Sequence, residues 1–112
     1  MEKQKQIRNN ELQSVVRQIV NNSHPDKIIL FGSGAEKHKD IPNDFDLLII
    51  NKMSVPRIRR RAVVLKNVNY NIPLDIIVLT PGELNYLINN DSIFINEILK
   101  KGIVLYEKES MV

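Results

Sequence analysis

Two short apolar runs, residues 28–31 and 47–50, bracket a polar segment and limit what this chain can fold into. Both are rich in Ile and Leu, as strands buried on both faces are. The segment between them carries Gly32-Ser33 at one end and Asp44-Phe45-Asp46 at the other. Side chains alternate along a strand, so Asp44 and Asp46 project to one side and Phe45 to the opposite face. Two carboxylates held a few ångströms apart repel each other, and ordinary folding does not reward that arrangement. A divalent cation does.

The flanking sequence supplies a framework for these strands. Leu12, Val15, Val16, Ile19 and Val20 form one apolar stripe at helical spacing. Residues 21–26, with Pro25 among turn formers, then end that helix, and His24 reads as a loop residue with no catalytic part. A first strand over 27–31 delivers Gly32, which permits a backbone turn, and Ser33. Ser33 is expected near the start of a short helix over 34–37, whose free N–H groups would suit phosphate oxygens. Lys37, His38 and Lys39 read as a solvated loop surface, and Asp40 carries no special signal.

A second strand is expected over 44–50 and a third over 73–79, the latter carrying Asp75 near its start. Three acids converge only if the first two strands are antiparallel and the second and third are parallel, joined by a helical crossover. Ser54-Val55-Pro56 offers the helix start, with Ile58, Ala62 and Leu65 at helical spacing. Arg57, Arg59, Arg60 and Arg61 then read as its solvated basic face. Beyond the third strand, Thr80-Pro81-Gly82-Glu83 fits a capping box, followed by a buried stripe of Leu84, Leu87 and Ile88. Residues 89–92 break that helix and cap the next, whose Ile95, Ile98 and Leu99 are expected to face inward. Lys100 and Lys101 complement its dipole and Gly102 stops it. Residues 103–106 form a short final strand or an extended tail. The fold class is therefore α/β (α+β), a small mixed sheet with flanking helices and its site at one edge.

Composition narrows the class of function. At 112 residues the chain reads as a single domain over 1–112, long enough for one core. Hydrophobic content of 43% with 26% charged residues is that of a soluble globular protein. No run approaches the ~20 apolar residues of a membrane span. Residues 1–12 lack the apolar core of a secretion signal, and Cys is absent, which together read as cytoplasmic. The net charge of +3 favours anionic ligands only mildly. No aromatic residues interleave the arginines to stack bases, so nucleic acid is not expected as a direct ligand.

Gly-Ser, ten residues, then Asp-x-Asp, with a third acid in IPLDIIVL, resembles the minimal nucleotidyltransferases of the DNA polymerase β superfamily. The spacing is similar to that of small prokaryotic members that act as antitoxins beside a HEPN-domain partner. SIFINEILKKGIVLYEK resembles their ending, so the likeness covers most of the chain from Ile28 onward. The resemblance implies a polymerase-β-like fold and two Mg2+ ions held by Asp44, Asp46 and Asp75. It also implies that Asp75 helps deprotonate the acceptor hydroxyl, and that Gly32 and Ser33 hold the β- and γ-phosphates of ATP. The activity implied is transfer of AMP to a hydroxyl, a tyrosine, of a partner HEPN toxin, as the antitoxin of a type VII pair and in a hetero-oligomer with it. Such transfer depends on charge neutralisation more than on acid–base groups, and magnesium suits carboxylate and phosphate oxygens.

Two positions depart from the family pattern: Gly34 stands where many relatives have Arg or another polar residue, and Asn43 where many have Ser. Both bear on nucleotide contacts and neither removes a carboxylate. The alternative reading is a binding module that neutralises the partner by contact. Transfer to a small molecule or to RNA is less favoured, because the second domain that builds such acceptor pockets in relatives is missing.

Overall fold

In the computed structural model, residues 2–36 and 44–109 are described. The expected stripe on the first helix, α1 (Glu2–Ser23), is its buried face: Leu12, Val15, Val16 and Ile19 are all in the core, with Val20 packed against it. His24 closes the helix in the left-handed region (φ 50°), its N–H donating to the Val20 carbonyl at 3.0 Å, and is exposed.

Four strands follow: β1 (Lys27–Phe31), β2 (Phe45–Ile50), β3 (Leu74–Leu79) and β4 (Ile103–Glu107). They form one sheet in the order β3-β2-β1-β4. β1 pairs antiparallel with β2, and β2 pairs parallel with β3, the arrangement that convergence of the acids required. β2 and β3 each begin one residue later than the sequence suggests. The last segment is a strand and not a tail, antiparallel to β1 with an irregularity in register between Ile28 and Ile29.

Alternation sorts the side chains onto two faces. Ile28, Leu30, Phe45, Leu47, Ile49, Leu74 and Val78 pack against α1 and α2 (Arg57–Leu65) in the larger core. Ile29, Leu48, Ile50 and Leu79 pack against α3 (Pro81–Asn89) and α4 (Ile93–Lys101) in a smaller one. Leu84, Leu87 and Ile88 lie on that second cluster, partly buried.

The crossover helix α2 starts where Pro56 suggested but is turned differently about its axis. Ile58 is 91% exposed and Ala62 is exposed, whereas Arg60, Val64 and Leu65 are buried. The reason is the environment of Arg60. Its guanidinium donates to the Val55 and Val78 carbonyls at 2.8 and 3.2 Å and to both carboxylate oxygens of Glu83 at 2.5 and 3.1 Å. A guanidinium supplied with this many acceptors tolerates burial that an unpaired charge does not. Arg60 therefore leaves the solvated basic face assigned to it from sequence.

Glu83 serves twice. It completes the capping box, accepting from the Thr80 N–H at 2.8 Å while the Thr80 hydroxyl accepts from the Glu83 N–H at 3.2 Å. The bonds from Arg60 and then Thr80 hold its carboxyl at a pKa of about 2. One carboxylate thus starts α3 and ties it to α2. At α4 the Ser92 hydroxyl accepts from the Ile95 N–H, and Ile95 and Ile98 are buried as expected. Leu99 is not: it is 39% exposed, at the margin of the inward face.

Gly102 ends α4, but in an ordinary extended conformation (φ −71°). Its missing side chain matters for space. A Cβ there would lie 2.5 Å from the Ile98 carbonyl oxygen and 2.6 Å from Ile29 Cγ2, so only glycine lets α4 turn into β4 so close to β1. Among the described residues, no helix is long and apolar enough to cross a membrane.

Candidate functional site

The parallel pairing of β2 and β3 aligns Asp46 with Asp75 on neighbouring strands. Both project from the face that carries α3 and α4, because Leu48 and Ile77, two residues further along each strand, belong to that cluster. Asp44 stands in the bend just before β2, two residues ahead of Asp46. One carboxylate oxygen from each of the three lies within 4.8 Å of the others. Asp44 and Asp46 are half-buried and Asp75 is exposed.

The antiparallel partner brings the turn to the same place. Phe31 is the register partner of Asp46, so Gly32 follows directly beside it. Gly32 has φ +71°, and a Cβ on it would collide with Asp46 Oδ2. Both the backbone conformation and the close approach require glycine. Gly32 and Ser33 belong to a single 3-10 turn, Gly32–Ala35, closed by the Glu36 N–H to the Ser33 carbonyl at 3.2 Å. The short helix expected over 34–37 is this one turn, begun two residues earlier at Gly32. A chain that has spent its Gly on a left-handed entry makes one tight turn and exits extended at Glu36 (φ −88°, ψ 120°). Ser33 is exposed. Lys37, His38, Lys39, Asp40 and Asn43 lie outside the described residues.

Gly34, one of the two departures, has a packing role. A Cβ there would approach Leu30 Cδ1 and Phe45 Cδ1 at 3.2 Å, so the turn sits directly on the larger core.

Among the described residues, the three acids have no cationic partner. The Asp46 carboxyl is pushed up from its ordinary range, first by burial and then by the charges of Asp44 and Asp75, with a hydrogen bond to Asp75 adding to the effect. Three hard oxygen donors converging beside a polar turn suit a small divalent cation such as magnesium.

Beside Gly32 opens a cavity of about 260 Å³, bordered by Phe31, Phe94, Glu97 and Lys101. Phe31 and Phe94 meet edge to face, with ring centroids 5.7 Å apart and planes at 87°. Sequence reasoning missed this pair as a neighbour of the site. Phe31 reads from sequence only as the end of a run buried on both faces, and nothing local in 93–101 indicates which residue reaches the turn.

A family model described as polymerase beta, nucleotidyltransferase, matches residues 13–111. Among solved structures, a crystal structure of a candidate nucleotidyltransferase from Sulfolobus solfataricus superposes with a TM-score of 0.65 at 21% identity. That match covers 96% of this chain and 87% of the other, and at this identity it bears on the fold alone. No curated protein matches the chain by sequence.

Proposed function

The chain belongs to the polymerase β nucleotidyltransferase family, and from that premise we propose that it is a Mg2+-dependent protein adenylyltransferase. In this reading it moves AMP from ATP to a hydroxyl, a tyrosine, of a partner HEPN toxin and serves as the antitoxin of that pair. The observation that carries the transferase part is the convergence of Asp44, Asp46 and Asp75 next to the Gly32 turn.

Each residue has a role that its position supports. Asp44 and Asp46 would hold the metal that grips the triphosphate, and Asp75 would complete a second site with Asp46. When bound, a metal pair supplies a Lewis acid for the phosphate oxygens and offsets charge on the departing pyrophosphate. Gly32 gives the phosphates access to the backbone of the turn, since any side chain would fill the space against Asp46. Ser33, exposed in the same turn, offers a hydroxyl to the β- and γ-phosphates. Asp75 is exposed on an edge strand and open to an incoming hydroxyl, whose proton it would take. That openness supports an acceptor delivered by another macromolecule. It is the HEPN identity of that partner, and tyrosine as its acceptor, that rest on the resemblance alone.

The test is incubation with α-labelled ATP, magnesium and the candidate partner. Label should appear on a partner tyrosine and disappear with the D44N/D46N variant, while circular dichroism stays that of the wild type. If that variant still neutralises the partner fully, neutralisation is by contact and the enzymatic reading fails.

A further inference from the structure

Along the outer edge of β3 runs a groove of about 630 Å³, between the start of α2 and the start of α4. Its floor is aliphatic, Ile76 and Ile77; Phe94 stands on one side and Arg57, Ile58 and Arg61 on the other. Ile58 is 91% and Phe94 52% exposed, so two large apolar side chains remain in water at the groove's rim. Apolar surface left contiguous in this way marks a binding site more often than a scattered exposed Leu does.

The charge on the groove has one sign. The side chain of Arg57 forms no ion pair or hydrogen bond with the described residues, and Arg61 spends one nitrogen on the Leu74 carbonyl at 3.4 Å. Glu83, the carboxylate whose charge Arg57 meets, is held by Arg60. Backbone geometry limits how an occupant is held. The carbonyls of Pro73 and Leu79 accept from the N–H groups of Phe45 and of Asn51, just past the end of β2, whereas those of Leu74 and Val78 face outward and are taken by Arg61 and Arg60. A new strand therefore cannot zip along this edge. An occupant is gripped through its side chains.

The groove also lies next to the acids. Asp75 precedes Ile76 and shares a face with Ile77, a strand spacing of roughly 7 Å. We propose that this groove seats the acceptor: an acidic polypeptide segment whose apolar side chain packs on Ile58, Ile77 and Phe94 and whose hydroxyl-bearing residue reaches Asp75. The acceptor role rests on the transferase reading above, whereas the docking of such a segment does not. In the transfer, the hydroxyl oxygen bonds to the α-phosphorus of ATP and the bond from that phosphorus to the bridging oxygen breaks. Pyrophosphate leaves with the bonding pair, and the hydroxyl proton passes to Asp75. A polypeptide fits better than RNA because the floor is aliphatic and the one aromatic ring, Phe94, is engaged edge to face with Phe31.

The experiment uses two fluorescein-labelled random copolymers, Glu–Tyr and Lys–Tyr, and reads anisotropy without nucleotide. The Glu–Tyr polymer should bind the wild-type chain about tenfold or more tighter than the Lys–Tyr polymer. Ile58→Ser and Arg57→Gln, both at exposed positions, should each weaken that binding several-fold, while Lys100→Gln on α4 should not. Equal affinity in wild type and both groove variants overturns the proposal. So does an equal loss in Lys100→Gln, or displacement of the polymer by a single-stranded RNA 12-mer that the same two variants no longer bind. With α-labelled ATP and magnesium added, a polymer that binds as expected yet takes no label retains the docking site and overturns the transferase reading instead.

Discussion

The two faces of the sheet differ in how far their apolar packing runs. Toward α1 and α2 it is continuous from Leu74 and Phe45 to Val78 and Ile49, closed by Val64, Leu65 and the α1 stripe. Toward α3 and α4 it stops at Leu48 and Ile77, and the next residues on that side are Asp46 and Asp75. Alternation along six residues of β2 thus puts Phe45 and Leu47 into the core while holding Asp46 out of it. The larger core lies on one face and the candidate chemistry at the open end of the other, so the larger core and the acids can be altered separately.

The sharpest way to break that comparison is Asp46→Asn. Transfer of label should fall by about 10³-fold, or about 4 kcal/mol of transition-state stabilisation, while the melting temperature holds or rises because a repelling charge has gone. A fall of several degrees would mean the acids support the fold. Leu47→Ala, one residue away on the other face, should do the reverse. It opens a cavity in the larger core at a cost of about 3 kcal/mol in denaturant melts, with turnover per folded molecule kept within about threefold of wild type. Magnesium at 100-fold excess over its dissociation constant should then raise stability by about 2.7 kcal/mol, and the increment should vanish in Asp46→Asn but persist in Leu47→Ala.

Smaller effects belong to the link between α2 and α3. Thr80→Ala removes one half of the capping box and should cost about 1 kcal/mol with no change in magnesium response. The Glu83 carboxyl, lowered to about 2 from an ordinary 4.5, contributes stability that is fully present above pH 4.5 and is lost as pH falls toward 2. Urea melts across that window should therefore show a decline that Glu83→Gln flattens. A Glu83→Gln variant that declines just as steeply would mean that other carboxylates carry the acid sensitivity.

What the chain's local grammar reveals is uneven, and the reasons are physical. The strands 28–31 and 47–50, the Thr80–Glu83 capping box and the Ser92 cap are written within a few adjacent residues, so each was legible. The relative direction of β1, β2 and β3 was legible only by supposing that three acids must meet, and the pairing agrees with that supposition. Arg60 was misread because its burial depends on Glu83, 23 residues downstream. No periodicity within 57–65 records that partner, and Ile58 looks like core until Arg60 claims the inward position. A short helix beside Ser33 was legible, but its start at Gly32 and its single tight turn were not, because a Gly-Ser dipeptide does not fix where the turn begins. The Phe31–Phe94 contact joins segments 63 residues apart and left no trace in either.

The rung-for-rung pairing of Asp46 with Asp75 makes the third strand a phase-locked part. Residues gained or lost at the exposed loop positions of 51–73 change only the length of a connection, whereas one gained within α2 would turn Arg60, Val64 and Leu65 off its buried face. A single residue gained between Leu74 and Leu79 would shift the phase of every later side chain, and one gained just ahead of Asp75 would take that carboxylate off its rung beside Asp46. Variation in natural or engineered descendants should therefore accumulate in the loops of the bridge and spare the rail.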